Sequence, residues 1–473
     1  MCTVAPAMVW RLRTSPSIPL LLLAIVSVLS LGARAARLGQ PCQSPCTQAG
    51  QHTLIFDEAY YVNAARVIAG IRPPGGSHYA AAPLGTDPNA EHPQLAKLIM
   101  AGGIELFGDG PLAWRLGSLL FGSIAILGMF ALVRAGGGGR WTALAASTLM
   151  ASDNLLLVHG RIGTLDIYTV AMMIWGLALY LRGRTLLAGL TLAVASAFKL
   201  VAPYAVAVLV LVEFARVIAG RRDRESPEDW RPRPALQRLI NCGFTGAGVF
   251  MGLLGVMDLI ATPYNDSGGQ LINGGPFDHF AHMVAYAAQQ VSPHGPQGIA
   301  SYPWAWLIDL KPIVYLRINP SLPGAGLYAI HPVSKFLGMV SPPIMLLALP
   351  ALGVGLYRWL RPRRWRRRGA RAAAAGPDAL AAPATPADRQ LAALGPAWFV
   401  GTWVPFALLS LIDQRTSYLY YMVIVMPGIY VAVSYLLTLV WRWRRAWVRW
   451  LIAVWGVLVL AAVVLMYPFV PAF

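Results

Sequence analysis

The sequence predicts an all-α polytopic membrane protein with about 11 transmembrane helices and two long extracytoplasmic loops. Three observations carry this. Only 12% of the 473 residues are charged against 57% hydrophobic, with a mean hydropathy of +0.56, where a soluble chain carries about 25% charge. Apolar runs recur along nearly the whole length, and a bilayer core needs about 20 such residues as helix. The net charge of +18 is also sharply one-sided. These numbers exclude a disordered chain, a collagen and a small disulfide scaffold.

The apolar runs fall at roughly 16–34, 111–134, 141–159, 164–181, 185–200, 201–218, 239–261, 337–357, 393–412, 417–438 and 450–468. The fifth and sixth share an apolar block broken near Pro203. Arg11 and Arg13 before the first run, with Ala33-Arg34-Ala35 after it, also fit a cleaved signal peptide; retention as a span is the favoured reading. With the N-terminus inside, 26 of the 38 basic residues and 7 of the 20 acidic residues fall on inner segments, a surplus of +19. The outer remainder is nearly neutral. Basic residues sort to the cytoplasmic side, so the charge records threading and is no nucleic-acid footprint. All eight histidines fall on outer segments or outer helix ends.

The chain therefore reads as one transmembrane domain over 1–473. Its first extracytoplasmic loop is 35–110 and its large extracytoplasmic loop 262–336. Residues 359–391 form a basic, then Ala/Pro-rich, cytoplasmic linker. Loops this long are usually functional or disordered, and both outer loops are rich in aromatic and ionisable residues. Cys42 and Cys46 lie in the first, spaced so that a disulfide is one reading; Cys2 and Cys242 are expected to be unpaired.

Adjacent carboxylates stand at Phe56-Asp57-Glu58. Such a pair serves as a general base or a cation site, or simply starts a solvated helix. Arg115, Arg161, Lys199 and Arg415 stand at outer helix ends, against the positive-inside bias. They either pair structurally with Asp166 or Asp413, or build a phosphate pocket. His294, Trp304 and Trp306 sit in the large outer loop, as an interface belt or as a surface that stacks on a sugar or peptide. Asp278-His279 and His282 have metal-like spacing without a third ligand, and one polar helix face is the preferred reading. No nucleotide-binding glycine loop is present, and no metal is expected.

Taken in order, these stretches resemble the protein O-mannosyltransferase family, within the GT-C type of membrane glycosyltransferases. The resemblance is carried by Phe56-Asp57-Glu58, His92-Pro93…Leu95…Lys97, Phe107-Gly108-Asp109…Trp114-Arg115, Arg161…Leu165-Asp166 and Ala197-Phe198-Lys199. It continues through Ser301 to Tyr315 and Arg415-Thr416-Ser417-Tyr418-Leu419-Tyr420-Tyr421 with Pro427. Gln94 stands where the family has a second proline, and Lys311 where it usually has arginine. The loop of about 75 residues has no room for the β-trefoil domain of eukaryotic members, which resembles bacterial ones and leaves the acceptor open.

The resemblance implies a polyprenyl-phosphate sugar donor, mannose first among the candidates, with no tightly bound cofactor. Asp57 would be the general base, and Glu58 would orient the site or the acceptor. Arg115, Arg161, Lys199 and Arg415 would hold the donor phosphate, and His92, His294, Trp304, Trp306 and Tyr420 would contact substrate. The implied partners are the lipid-linked sugar, an exported Ser/Thr-containing polypeptide, the bilayer and the protein-export machinery. The implied location is the plasma (inner) membrane, with the active site outside. A sister transferase acting on a lipid or envelope glycan, and more remotely a secondary transporter, are the competing expectations.

Overall fold

The computed structural model describes residues 17–222, 228–319, 334–361, 385–443 and 445–470. Arg11, Arg13, His331 and most of the 359–391 linker lie outside the described residues. Among these, seven helices are long and apolar enough to cross a membrane. They are α1 (Ile18–Ala35), α4 (Pro111–Ala135), α10 (Pro232–Ile260), α13–α14 (Pro342–Leu346, Ala348–Leu360), α15 (Pro386–Ile412), Leu419–Trp441 and α17 (Ala446–Leu465). The span Leu419–Trp441 consists of a 3-10 turn, Leu419–Tyr421, and α16 (Met422–Trp441). Two shorter apolar helices, α7 (Asp166–Leu181) and α8 (Thr185–Phe198), stand with them, followed by α9 (Tyr204–Arg222). The chain is a multi-pass membrane protein.

One expected span is interrupted. The run 141–159 divides into α5 (Arg140–Ala151) and α6 (Asn154–His159). The buried Asp153 carboxylate accepts from the Leu155 and Leu156 amides. A capping carboxylate supplies an acceptor to amides that lack an intrahelical partner, so it starts a helix. A new helix at this depth then carries His159 to the inside of the bundle.

The helices pack as a bundle in which α4 contacts α5 and α7, α7 contacts α8, α8 contacts α10, and α15 contacts α9, α14 and α16. Alpha-helix α16 is apolar all round and buried, as expected of a central span. Its Gly428 lets α15 approach closely. A Cβ there would lie 2.8 Å from the Gly395 carbonyl oxygen and 2.8 Å from the Phe399 nitrogen. Both atoms are backbone of α15 and cannot rotate away. Gly428→Ala is therefore expected to destabilise the protein by about 1–3 kcal/mol through overpacking, read as a lower unfolding temperature in detergent.

Buried Arg34 ties α1 to the bundle. It donates to the Leu119 carbonyl at 2.9 Å and to Ser123 Oγ at 2.9 Å, both on α4. The long segments between spans add α2 (Glu58–Ile68), α3 (Leu95–Phe107), α11 (Pro276–Gln289), α12 (Pro303–Trp306) and two antiparallel hairpins. These are β1 (Tyr264–Asn265) with β2 (Gln270–Leu271), and β3 (Ile313–Ile318) with β4 (Ser334–Gly338). In the second, Ile313 pairs with Gly338 and Arg317 with Lys335. Cys42 and Cys46 are joined as a disulfide, and Cys242 is free and buried.

Candidate active site

Asp57 and Glu58 are neighbours in sequence that point into different surroundings. Glu58 begins α2 and is fully buried. Its Oε2 accepts from the Ile55 amide at 2.8 Å and from Arg115 Nη2 at 2.7 Å. Its Oε1 accepts from Arg115 Nε at 2.7 Å and from the Gly163 amide at 2.7 Å. Four donors on one carboxylate join the first loop, the start of α4 and the turn before α7. Arg115 spends its remaining donors on the Leu38 and Thr53 carbonyls.

Neither Arg115 nor Glu58 is among the residues that line the cavity described below. Arg115 is 1% exposed and sealed against Glu58, so it has no free fork to offer a phosphate. Glu58 faces Arg115 and the Gly163 amide. Arg161 too lies outside the cavity lining. It is buried, donates to the Ala36 and Arg37 carbonyls just after α1, and lies over the Phe336 and Phe469 rings. A cation at a helix C-terminus satisfies carbonyls that the helix leaves without partners.

Asp57 precedes α2 and lines a cavity of about 930 Å³. Its carboxylate accepts no hydrogen bond among the described residues. Burial raises its pKa to about 7; Lys199 pulls it down and Asp166 pushes it up. Phe56 sets its direction. The Phe56 backbone is left-handed (φ 56°), an uncommon conformation for a residue with a bulky side chain. Its ring stacks on Tyr315 at 4.1 Å and meets Tyr420 edge-on at 5.4 Å. Tyr315 in turn donates to or accepts from His159 Nε2 at 2.9 Å. Gly338 makes room for it, since a Cβ there would lie 2.4 Å from the Tyr315 ring. The β3–β4 hairpin and α6 thus hold the residue that aims the carboxylate.

Two cations share the cavity. Lys199, just past α8, reaches Asp166 at the start of α7 at 2.7 Å and sits over the Tyr420 and Tyr421 rings. Arg415 donates to the Ala287 carbonyl and has no carboxylate partner among the described residues. A short antiparallel bridge, Thr416 amide to Gln290 carbonyl at 2.8 Å and Ser292 amide to Gln414 carbonyl at 2.8 Å, fixes it against the end of α11.

His92 and Tyr420 also line the cavity. Burial and the nearby Lys199, Lys97 and Arg415 hold the His92 imidazole well below its usual range, hence neutral. Lys97 is a staple: it donates to Asp87 at 2.5 Å and to the Asn89 and His92 carbonyls. Asp109 receives Arg66 at 2.9 Å and Trp114 Nε1 at 2.7 Å, so the Phe-Gly-Asp…Trp-Arg segment is a structural knot.

His294, Trp304 and Trp306 do not line the cavity. His294 is exposed. Trp304 is 42% exposed and stacks on Tyr302. Trp306 is fully buried, donates to Ser301 Oγ and packs edge-on against Phe406 and Tyr421. His279 pairs with Asp258 at 2.7 Å rather than with Asp278 or His282. Cys42, Cys46 and His52 lie within ligand distance of one another, but the two sulfurs are bonded together and offer no thiolate.

Tyr60, Tyr61, Asn89, Glu91, Tyr418 and Tyr421 also line the cavity and were not named as site residues from sequence. Tyr418 and Tyr421 stood in the segment that carries the resemblance, Tyr60, Tyr61 and Glu91 were signalled only by their closeness to Asp57 or His92, and Asn89 had no signal. The assembled site pairs one unbonded carboxylate with two cations beneath a ring of tyrosines. Such a site can take a proton from a hydroxyl while holding an anion beside it.

A family model described as dolichyl-phosphate-mannose-protein mannosyltransferase matches residues 91–224. The chain is 35% identical over 149 residues to a polyprenol-phosphate-mannose–protein mannosyltransferase of Corynebacterium glutamicum, covering 31% of this chain and 27% of that relative. It is 23% identical to the enzyme of the same name from Mycolicibacterium smegmatis, over 72% of each chain. Among solved structures, a chain of the Saccharomyces cerevisiae Pmt1-Pmt2 protein O-mannosyltransferase complex bound to the sugar donor matches with TM-score 0.65 and 13% identity. That match covers 100% of this chain and 92% of the yeast one. The archaeal oligosaccharyltransferase AglB from Archaeoglobus fulgidus matches with TM-score 0.51 and 14% identity, over 95% of this chain and 55% of its own. At these identities the structural likeness establishes the fold.

Proposed function

We propose that the chain is a protein O-mannosyltransferase of the GT-C type, moving mannose from a polyprenyl-phosphate donor to a Ser/Thr hydroxyl of an exported polypeptide, with inversion. The observation that carries this reading is Asp57, unbonded in a cavity that also holds Lys199 and Arg415. Asp57 takes the proton of the acceptor hydroxyl. That oxygen attacks the anomeric carbon from the face opposite the phosphate. The carbon–oxygen bond to phosphate breaks, and the lipid phosphate leaves with the electron pair. Its charge develops beside Lys199 and Arg415, where fixed cations stabilise the transition state most. A lipid-borne donor needs no nucleotide fold, which agrees with the all-helical bundle.

Asp166, Lys199, Tyr204, Asp413 and Tyr420 all stand at helix ends on the side assigned as outer by the charge count. That supports a plasma (inner) membrane enzyme with a cytoplasmic N-terminus and an extracytoplasmic site. It also supports an acceptor met at export.

The test is transfer of labelled mannose from polyprenyl-phosphate mannose to a Ser/Thr peptide by the purified full chain. Arg415→Ala is expected to raise the donor KM by about 10–100-fold, the loss of one charge-assisted contact of about 1.5–3 kcal/mol. Its unfolding temperature should stay near that of the wild type. An unchanged donor KM would remove Arg415 from the phosphate site.

A further inference from the structure

The cavity holds a second carboxylate that the proposed reaction does not use. Glu91 lines it together with Asn89 and Tyr286. Its Oε2 accepts from Asn89 Nδ2 at 3.1 Å, and Asn89 is held in turn by Tyr79 Oη at 3.0 Å. Glu91 is thus a built group with a fixed direction and not a solvated face. Among the described residues no cation pairs with it. The nearest candidate, Lys97, is spent on Asp87.

Asp57 and Glu91 sit in different fields. Asp57 feels Lys199 and Asp166. Glu91 feels Lys97, Asp87 and Asp266, so acids outnumber cations around it. A third acid, Asp413, is exposed at the rim two residues from Arg415. The cavity thus holds Lys199 and Arg415 and, at Glu91, an acid with no ion-pair partner among the described residues.

A largely buried carboxylate without a counterion is costly. The donor cannot supply one, because its sugar is neutral and its phosphate is repelled by Glu91. Only the acceptor can. We propose that Glu91 selects acceptors carrying a positive charge, a Lys or Arg side chain, beside the hydroxyl that is modified. The same charge would discriminate against acidic acceptors by like-charge repulsion. This rests on the reading of the site as a transferase with a polypeptide acceptor.

The test uses the full chain, polyprenyl-phosphate mannose, and three peptides identical except for Lys, Gln or Glu flanking the serine. The wild type is expected to show a KM about tenfold lower for the Lys peptide than for the Gln peptide, the size of one charge-assisted contact, and highest for the Glu peptide. Glu91→Gln should abolish the Lys-over-Gln preference, read as the ratio of acceptor KM values within the variant, so that any shared change in kcat or donor KM cancels. Glu91→Lys should favour the Glu peptide, a reversal that a merely structural role cannot produce.

A wild-type KM independent of peptide charge overturns the proposal, and that arm needs no variant to fold. So does a Glu91→Gln enzyme that keeps the wild-type KM ratio between the Lys and Gln peptides, whatever else changes. Transfer to none of the peptides, with mannose passing instead to a lipid or glycan acceptor, would overturn the polypeptide reading and this inference with it.

Discussion

Asp57→Asn is expected to lower the rate of mannose transfer by about 10²–10⁴-fold, the usual contribution of a positioned general base, with the donor KM nearly unchanged. The amide keeps the size of the carboxylate and cannot accept the hydroxyl proton. Because the Asp57 carboxylate makes no hydrogen bond among the described residues, its replacement leaves no partner stranded, and the variant should fold normally. The pH profile adds a second reading of the same group. Burial raises the Asp57 pKa to about 7, so the base is protonated and inactive below that value. Wild-type kcat/KM should rise with pH through about 7 and level off above it, and the residual rate of Asp57→Asn should lose that rise. A variant with full turnover, or a wild-type profile flat from pH 5 to 9, would exclude Asp57 as the base.

Arg115→Ala should act differently, through stability. It removes the bidentate partner of the fully buried Glu58 and leaves a carboxylate without its counterion. Breaking one side of such a pair costs about 3–5 kcal/mol, enough to deplete the folded protein in the membrane. Glu58→Gln in the same chain should recover part of the loss, since it removes the stranded charge. Thermal unfolding of the four proteins in detergent measures this coupling. Activity per folded molecule should fall less than expression does. An Arg115→Ala protein with wild-type unfolding temperature and a raised donor KM would return Arg115 to the phosphate site.

The contrast between these two residues shows where reading the sequence succeeds. Asp57 and Glu58 stand out in an acid-poor chain, and Arg115 stands out as an outer cation. Their patterns are equally strong in sequence. They divide only because Phe56 takes a left-handed backbone under Tyr315, turning one carboxylate toward the cavity and the other toward Arg115 and the Gly163 amide. Glu91 shows the reverse case. It belongs to a legible stretch, yet its importance comes from what fails to pair with it, and only packed neighbours reveal that. The interrupted span at 141–159 has a similar cause. Its hydropathy is continuous, and a single capping acid, Asp153, breaks the helix.

Composition, apolar run length and charge placement belong to each residue wherever it lies. The sequence alone therefore determined the membrane class, an expectation for the threading from the +18 charge, and a short list of ionisable residues at helix ends. Whether a cation at a helix end faces a cavity or satisfies a neighbouring carbonyl depends on side chains brought together from distant segments. Tertiary structure alone decided that Lys199 and Arg415 line the cavity with Asp57, while Arg115 is held by Glu58 and Arg161 reaches the Ala36 and Arg37 carbonyls. Packing chooses among charges that are alike in sequence, because a buried charge takes whichever partner the fold places within hydrogen-bond reach.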